Sequence, residues 1–134
     1  LRPSLVAAGG GGARGRVVLG TVHWDIHEIG KSLVGMMLVA AGFDVEDLGV
    51  DVPVERFVAT ARAVDADLVG ASALLTTTMS VQRDLVTAVR EAGLRARVLV
   101  GGAPTDPAWA EAIGADGWAG SAAEAVQVAE GLMR

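Results

Sequence analysis

The sequence predicts an α/β domain built on one doubly wound sheet of five parallel strands, and three observations support this. The chain has 134 residues, 51% of them hydrophobic, which suffices for one domain with a substantial core. From Arg16 onward, β-branched runs bounded by turn residues alternate with helical patterns, as in βαβ units. The longest apolar run, Ser32 to Phe43, has about twelve residues, short of the roughly twenty that span a bilayer. It therefore indicates a buried helix.

Five strands and five helices account for the chain from Arg16 to Met133. The strands are predicted at Arg16–Val22, Phe43–Leu48, Asp67–Ser72, Arg97–Val100 and Gly117–Ala119. The helices are predicted at Ile29–Ala41, Val54–Val64, Met79–Ala92, Pro107–Ile113 and Ala122–Met133. Right-handed crossovers with helices on both faces favour the flavodoxin-like (Rossmann-like) order 2-1-3-4-5. Ligands of such sheets bind beyond the carboxyl ends of the strands, beside strands 1 and 3.

Composition limits the classes of function. A net charge of -5 and a pI near 4.9 argue against nucleic acid, whose binders need a basic surface. The chain has no cysteine, which excludes disulfides, thiolate metal ligands and cysteine nucleophiles. We expect a cytoplasmic domain with no membrane partner. Gly9 to Gly12 is typical of a flexible linker, so residues 1–13 are interpreted as a linker or the remnant of a preceding segment, and residues 14–134 as the folded domain.

The segment from Thr21 to Gly30, TVHWDIHEIG, contains both histidines and permits three interpretations. In the first, Asp25 caps the first helix and Glu28 completes a capping box. In the second, His23 and His27 bind zinc, which needs a third protein ligand. In the third, His27 is the single axial ligand of a metal that brings its own equatorial ligands, and Asp25 orients its ring. The dipole at the helix start would keep that ring neutral.

Two neighbouring strands of the predicted sheet end in small residues. The third strand ends in Gly70-Ala71-Ser72-Ala73-Leu74, and the fourth ends in Gly101-Gly102-Ala103. Glycines at such positions often only permit tight turns. Together, however, the two stretches leave a hole between sheet and helices that a core would fill with Leu or Ile. An extended ligand could occupy that hole.

These segments carry a resemblance to a known family. The motifs are Asp-x-His-x-x-Gly at Asp25–Gly30, Ser-x-Leu at Ser72–Leu74, and Gly101-Gly102, each directly after the strand where it is expected. The sequence resembles the cobalamin (vitamin B12)-binding domain family from about Arg16 to Met133. It is most similar to the corrinoid carrier proteins of methyltransferase systems and to the cobalamin domain of methionine synthase. That similarity rests on GKSLV after His27, LLTTTM at Leu74–Met79 and GADG at Gly114–Gly117.

The resemblance implies a cobalamin or related corrinoid bound base-off and His-on, with the nucleotide tail between the strands and His27 as the cobalt ligand. Asp25 would be the hydrogen-bond partner of His27, and the Thr78 hydroxyl would extend this relay. These three residues are the expected catalytic set. The expected cofactor-binding residues are Trp24, Asp25, Ile26, His27, Glu28, Gly30, Ser72, Leu74, Thr76, Thr78, Gly101, Gly102 and Ala122.

The implied function is a carrier that passes a methyl group between methyltransferase partners through Co(I) and methyl-Co(III), and that is not catalytic alone. Its partners would be methyltransferase subunits or domains on the donor side and the acceptor side. A helical cap domain outside this chain, or self-association, would cover the upper corrin face. Two alternatives remain open, a cobalamin-dependent sensor and the small subunit of an adenosylcobalamin mutase. A phosphoacceptor receiver is disfavoured, because the third strand ends without the required aspartate.

Two residues depart from the family pattern. Trp24 stands where the methyltransferase carriers usually have glycine, so its indole either covers the corrin edge or rests on a neighbouring domain. A partly buried Trp that fills a local gap is an equally simple interpretation. We expect His23 to be a residue at the end of a loop, because the axial position is already taken by His27.

Overall fold

The computed structural model describes residues 4–5 and 14–133. The strands are β1 (Ser4–Leu5), β2 (Arg16–Thr21), β3 (Asp44–Asp47), β4 (Leu68–Ser72), β5 (Arg97–Gly101) and β6 (Gly117–Ala119). The helices are α1 (Ile29–Ala40), α2 (Val54–Val64), α3 (Met79–Glu91), α4 (Pro107–Ile113) and α5 (Ala122–Leu132), and a 3-10 turn (Thr76–Thr78) precedes α3. Each predicted element is present, with ends that agree to within one residue.

The strands form one sheet in the order β1-β3-β2-β4-β5-β6. The strands β2 to β6 pair in parallel, and counted among themselves they have the order 2-1-3-4-5. The predicted fold class is therefore confirmed. The two-residue strand β1 pairs antiparallel with β3 at the sheet edge and is not among the predicted strands. The proposed linker, Gly9 to Gly12, lies outside the described residues.

Helices cover both faces of the sheet because alternate strand residues point to opposite sides. One face packs against α2, α3 and α4, where Val18, Val69 and Val98 meet Phe57 and Leu85 in the larger core cluster. The other face packs against α1 and α5 around a cluster of Val17, Leu19, Leu38, Phe43, Val45, Leu68 and Ala129. Within the described ranges, no helix has the length and apolar character needed to cross a membrane. The carboxyl ends of β2, β4 and β5 meet at one edge of the sheet, which positions the site.

Candidate cofactor site

Asp25, His27 and Thr78 form a hydrogen-bonded relay at the carboxyl edge of the sheet. The Oδ1 atom of Asp25 lies 2.8 Å from Nδ1 of His27, and the Thr78 hydroxyl donates to Oδ2 of Asp25 at 2.9 Å. Asp25 is fully buried, whereas the His27 side chain is about half exposed. Three residues predicted to act together are therefore in contact. One side of the imidazole ring is held by a buried carboxylate, and the Nε2 side makes no hydrogen bond among the described residues.

The environment of Asp25 keeps its carboxylate ionised. Burial raises the pKa of Asp25, but hydrogen bonds from the Leu74 N–H, the His27 ring, the His27 N–H and the Thr78 hydroxyl lower it, and the resulting pKa is about 2. An ionised carboxylate only accepts hydrogen bonds. The Nδ1 atom of His27 therefore carries the proton of this hydrogen bond, so that in a neutral ring the free lone pair would lie on Nε2.

The capping-box interpretation of this segment is wrong. Helix α1 begins at Ile29, and Glu28 occupies its N-cap position without a hydrogen bond from its side chain to the helix. The Asp25 carboxylate is instead used by His27, Leu74 and Thr78. His27 precedes this helix and lies in the loop between β2 and α1, so it is outside the first helical turn, where the expected effect of the helix dipole on its ring would be strongest.

A cavity of about 290 Å³ opens between the sheet and the helices α1 and α5. Most of its lining residues are small, which leaves the space that a core would otherwise fill. Its lining includes the predicted residues Gly30, Ser72, Leu74, Gly101, Gly102 and Ala122. A Cβ atom on Gly30 would meet no atom within 4 Å, so this glycine borders open space. The two small-residue stretches thus enclose one cavity, as expected.

Gly101 and Gly102 are required by the protein's own backbone. A Cβ on Gly101 would lie 2.8 Å from the carbonyl oxygen of Ala119, and one on Gly102 would overlap the carbonyl oxygen of Ala73. Gly102 also has φ +121, a conformation that residues with a side chain rarely adopt. Glycine is required at both positions because other segments of the chain lie too close for a side chain. The absence of side chains at these two positions also leaves space in the cavity that they line.

The remaining predicted residues lie around this opening with different degrees of contact. Thr76 is exposed in the 3-10 turn, outside the cavity lining. Ile26 is 74% exposed. Glu28 has an exposed side chain whose Oε1 atom is 3.5 Å from Nζ of Lys31.

His23 and Trp24 form a separate small group on the loop after β2. Trp24 is 71% exposed with φ +69, and its ring lies 4.2 Å from the His23 ring. The Trp24 N–H donates to Oδ1 of Asp51, while Nδ1 of His23 lies 2.9 Å from the same oxygen without hydrogen-bond geometry. Trp24 therefore fills no gap in the core. In the described part of the chain no three acidic or histidine side chains converge, so a zinc site lacks its third ligand.

Sequence reasoning missed four buried polar residues beside the site. Lys31 points from α1 to Asp47 on β3, with Nζ 2.8 and 2.7 Å from the two carboxylate oxygens. Thr21, at the end of β2, donates its hydroxyl to the carbonyl oxygen of His27 at 2.9 Å. Gln82 of α3 donates its amide to the carbonyls of Ala71 and Gly101. The sequence offers one signal for such residues, which is a charged or polar residue at a position of the hydrophobic pattern where an apolar residue is expected. Lys31, near the start of α1, is an example.

Comparison with known proteins identifies the family of this chain. The family model described as "B12 binding domain" matches residues 15–128. Dimethylamine corrinoid protein 2 of Methanosarcina acetivorans is 53% identical over 121 residues, which are 89% of this chain and 56% of that protein. The chain thus spans less than two thirds of this relative's length.

Two solved structures from Methanosarcina barkeri are similar in fold. The monomethylamine corrinoid protein matches with a TM-score of 0.82 and 43% identity, covering 87% of this chain and 57% of that chain. The methanol:cobalamin methyltransferase complex matches with a TM-score of 0.87 and 28% identity, covering 94% of this chain and 49% of that chain. The chain therefore belongs to the B12-binding domain family, and its expected cofactor is a cobalamin or related corrinoid.

Proposed function

We propose that this chain is the corrinoid-binding part of a methyltransferase system and holds its cofactor base-off and His-on, with His27 as the lower cobalt ligand. The relay of Asp25, His27 and Thr78 beside a small-residue cavity carries this proposal. Relatives described as dimethylamine and monomethylamine corrinoid proteins support a carrier over the mutase and sensor alternatives.

The residues present fit such a cofactor. A base-off corrinoid needs a neutral imidazole on its lower face and a narrow space for the displaced nucleotide. His27 offers Nε2 at the exposed end of the relay, because Nδ1 is held by Asp25. The cavity between the sheet and the helices α1 and α5 has small walls, and the hydroxyl-bearing residues Ser72 and Ser121 lie among its lining residues. Donor and space are therefore both available at the same sheet edge.

When bound, the cobalt supplies the group-transfer chemistry, accepting a methyl group from one partner and giving it to another. The chain's own residues control the ligand. Asp25 orients the His27 ring and, being ionised, accepts the Nδ1 proton. The Thr78 hydroxyl gives Asp25 a further donor at 2.9 Å, which would stabilise the negative charge of the carboxylate that orients His27.

Methyl transfer requires partners, and the surface around the site suits docking. Trp24, Ile26 and Leu75 are large apolar residues exposed near the loops that carry the relay. Exposed apolar side chains grouped around a site are typical of protein contact surfaces. We infer that methyltransferase subunits or domains dock here in turn, and that a helical cap domain or a second copy covers this face between encounters.

Electron paramagnetic resonance of bound cob(II)alamin tests the ligand assignment. Free cobalamin and His-on cobalamin both show splitting from one axial nitrogen, so the protein is prepared with ¹⁵N-labelled histidine. We expect the triplet of ¹⁴N to become the doublet of ¹⁵N on binding. The variant His27→Ala should lose the doublet.

His23→Ala is the matched control, because it removes the other histidine of the chain, and it should retain the doublet. A ¹⁴N triplet in the labelled wild-type protein would show that the nucleotide base remains on cobalt, contrary to the proposal. Transfer of a methyl group from a methylated amine, with the cognate methyltransferase added, then tests the carrier role.

A further inference from the structure

A buried network of hydrogen bonds joins His27 to the sheet and is separate from the Asp25 relay. It consists of Thr21, Gly49, Asp47 and Lys31, here called the Thr21–Lys31 network. The hydroxyl of Thr21 donates to the His27 carbonyl at 2.9 Å, and the Thr21 N–H donates to the Gly49 carbonyl at 2.9 Å. The Gly49 N–H donates to Oδ1 of Asp47 at 2.8 Å, and this carboxylate pairs with Lys31. The network begins at the His27 backbone in the loop and ends at Lys31 in the first turn of α1.

The burial of this network is unusual for its chemistry. Thr21 is 0% exposed, Lys31 2% and Asp47 7%. A lysine and an aspartate lose their hydration when buried, and a well-packed apolar pair in their place is often equally stable. The stability of the fold alone therefore does not explain why Lys31 and Asp47 are an ion pair. Its geometry, with both carboxylate oxygens of Asp47 on Nζ of Lys31, fixes the start of α1 relative to β3.

The loop that carries His27 is anchored before this residue, where the Asp25 N–H donates to the Val22 carbonyl and the Asp51 N–H donates to the Asp25 carbonyl. The loop residues Trp24 and Ile26 are more than 70% exposed. The backbone of His27 makes two hydrogen bonds that anchor the loop, from its N–H to Asp25 and from Thr21 to its carbonyl. Asp25 therefore orients the ring, whereas Thr21 holds the position of the backbone that bears the ring.

We propose that Thr21 and the Lys31–Asp47 pair are positioning residues for His27, and that they keep its Nε2 atom where it coordinates the metal. This inference rests on the proposed role of His27 as the axial ligand. Lys31 also borders the cavity, but its ammonium group is already used by Asp47. In this proposal Lys31 acts by fixing the position of α1, and its positive charge does not bind the ligand.

The test compares Thr21→Val, which keeps the shape and loses the hydroxyl, with Thr21→Ser, which keeps the hydroxyl. Both are prepared with ¹⁵N-histidine and loaded with cob(II)alamin. In Thr21→Val we expect the ratio of coordinated to released His27 to fall about fivefold, the factor that corresponds to one hydrogen bond of about 1 kcal/mol. Thr21→Ser should retain the wild-type ratio. Thr60→Val, which alters a buried threonine on α2, should leave the ratio unchanged.

The double variant Lys31→Met with Asp47→Leu tests the ion pair by replacing it with an apolar pair, a change that buried ion pairs often tolerate without loss of stability. We expect the same fall in the ratio. A wild-type ratio in Thr21→Val, or in the folded double variant, would overturn the corresponding part of the proposal.

A readout without corrinoid separates this inference from the proposed function. In the protein without cofactor, the ¹⁵N shifts of the His27 ring report its tautomer, and His23→Gln identifies the signals because the chain has two histidines. We expect the Nδ1-protonated form to dominate in the wild type and in Thr21→Ser, and to be diluted by the second tautomer in Thr21→Val. Identical signals in all three proteins would overturn the positioning role. If the wild type bound no corrinoid, the proposed function would fail, and this comparison would still decide the inference.

Discussion

Thr78 and Asp25 are 53 residues apart in the chain, and the Thr78 hydroxyl lies 2.9 Å from Oδ2 of Asp25. The hydroxyl also lies 3.0 Å from the carbonyl oxygen of Leu75. Since it has one proton, the charged carboxylate is the stronger acceptor. This contact joins the loop after β2 to the turn before α3, so both segments determine the orientation of His27.

We expect Thr78→Val to weaken corrinoid binding about tenfold, because outer partners of a metal ligand commonly contribute 10- to 100-fold to affinity. Thr78→Ser retains the hydroxyl and should bind within about twofold of the wild type, since the hydrogen bond is preserved. Titration of each protein with hydroxocobalamin, followed by absorbance, measures both values. Equal affinities of the valine and serine variants would contradict a role for the hydroxyl.

Acid should remove the contribution of Asp25 to stability in the protein without cofactor. Its pKa is lowered from 3.8 to about 2, so its carboxylate stabilises the fold above about pH 4, and this stabilisation is lost as the pH falls towards 2. The shift corresponds to about 2 kcal/mol. We expect the gap in free energy of unfolding between wild type and Asp25→Asn to shrink by about this amount from pH 6 to pH 2, as measured by urea denaturation. A gap that does not change with pH would contradict the assignment.

Filling the cavity should block the cofactor without unfolding the protein. Ala122 lines the cavity from the start of α5, and the neighbouring Ala123 is exposed and lies outside the lining. We expect Ala122→Leu to reduce corrinoid affinity by tenfold or more, because the added side chain occupies space needed by the ligand. Ala123→Leu adds the same atoms to the same helix and should bind normally. Similar thermal unfolding of both variants would establish that the fold is intact, and equal affinities would contradict the role of the cavity.

Trp24 should be replaceable by glycine with a gain in stability. Its φ of +69 lies in the left-handed region, which costs a residue with a side chain about 1–2 kcal/mol. Glycine avoids this strain but loses more entropy on folding, so we expect Trp24→Gly to raise the free energy of unfolding by about 0.5 kcal/mol. Trp24→Ala removes the indole and keeps the strain, and should not be stabilised. A lower free energy of unfolding for Trp24→Gly than for Trp24→Ala would refute backbone strain at Trp24.

The fold was predictable because its signals are local. Helix α2 (Val54–Val64) and strand β6 (Gly117–Ala119) begin and end where the pattern predicts. The contacts among Asp25, His27 and Thr78 were expected only from the family resemblance, because no local pattern shows that Thr78 reaches Asp25 across 53 residues.

The errors also have physical causes. The spacing of Asp25 and Glu28 suits a capping box. The carboxylate of Asp25 instead accepts hydrogen bonds from Leu74 and Thr78, which are distant in the sequence. Lys31 escaped notice because its partner, Asp47, lies on another element, 16 residues away. Left-handed backbone at Trp24 could not be expected of a bulky residue, because a side chain makes this conformation unfavourable.

Gln82 joins the ends of the two strands that form the floor of the cavity. This fully buried side chain of α3 reaches the sheet from the face opposite α1 and α5, and its amide joins the ends of β4 and β5 through the carbonyls of Ala71 and Gly101. Its oxygen is in turn held by the indole N–H of Trp109. The spacing of the two strands at the cavity floor is thus set from behind, before any ligand arrives. Substitutions in α1 or α5 would therefore change the opposite wall of the cavity while Gln82 keeps the strand ends at its floor in place.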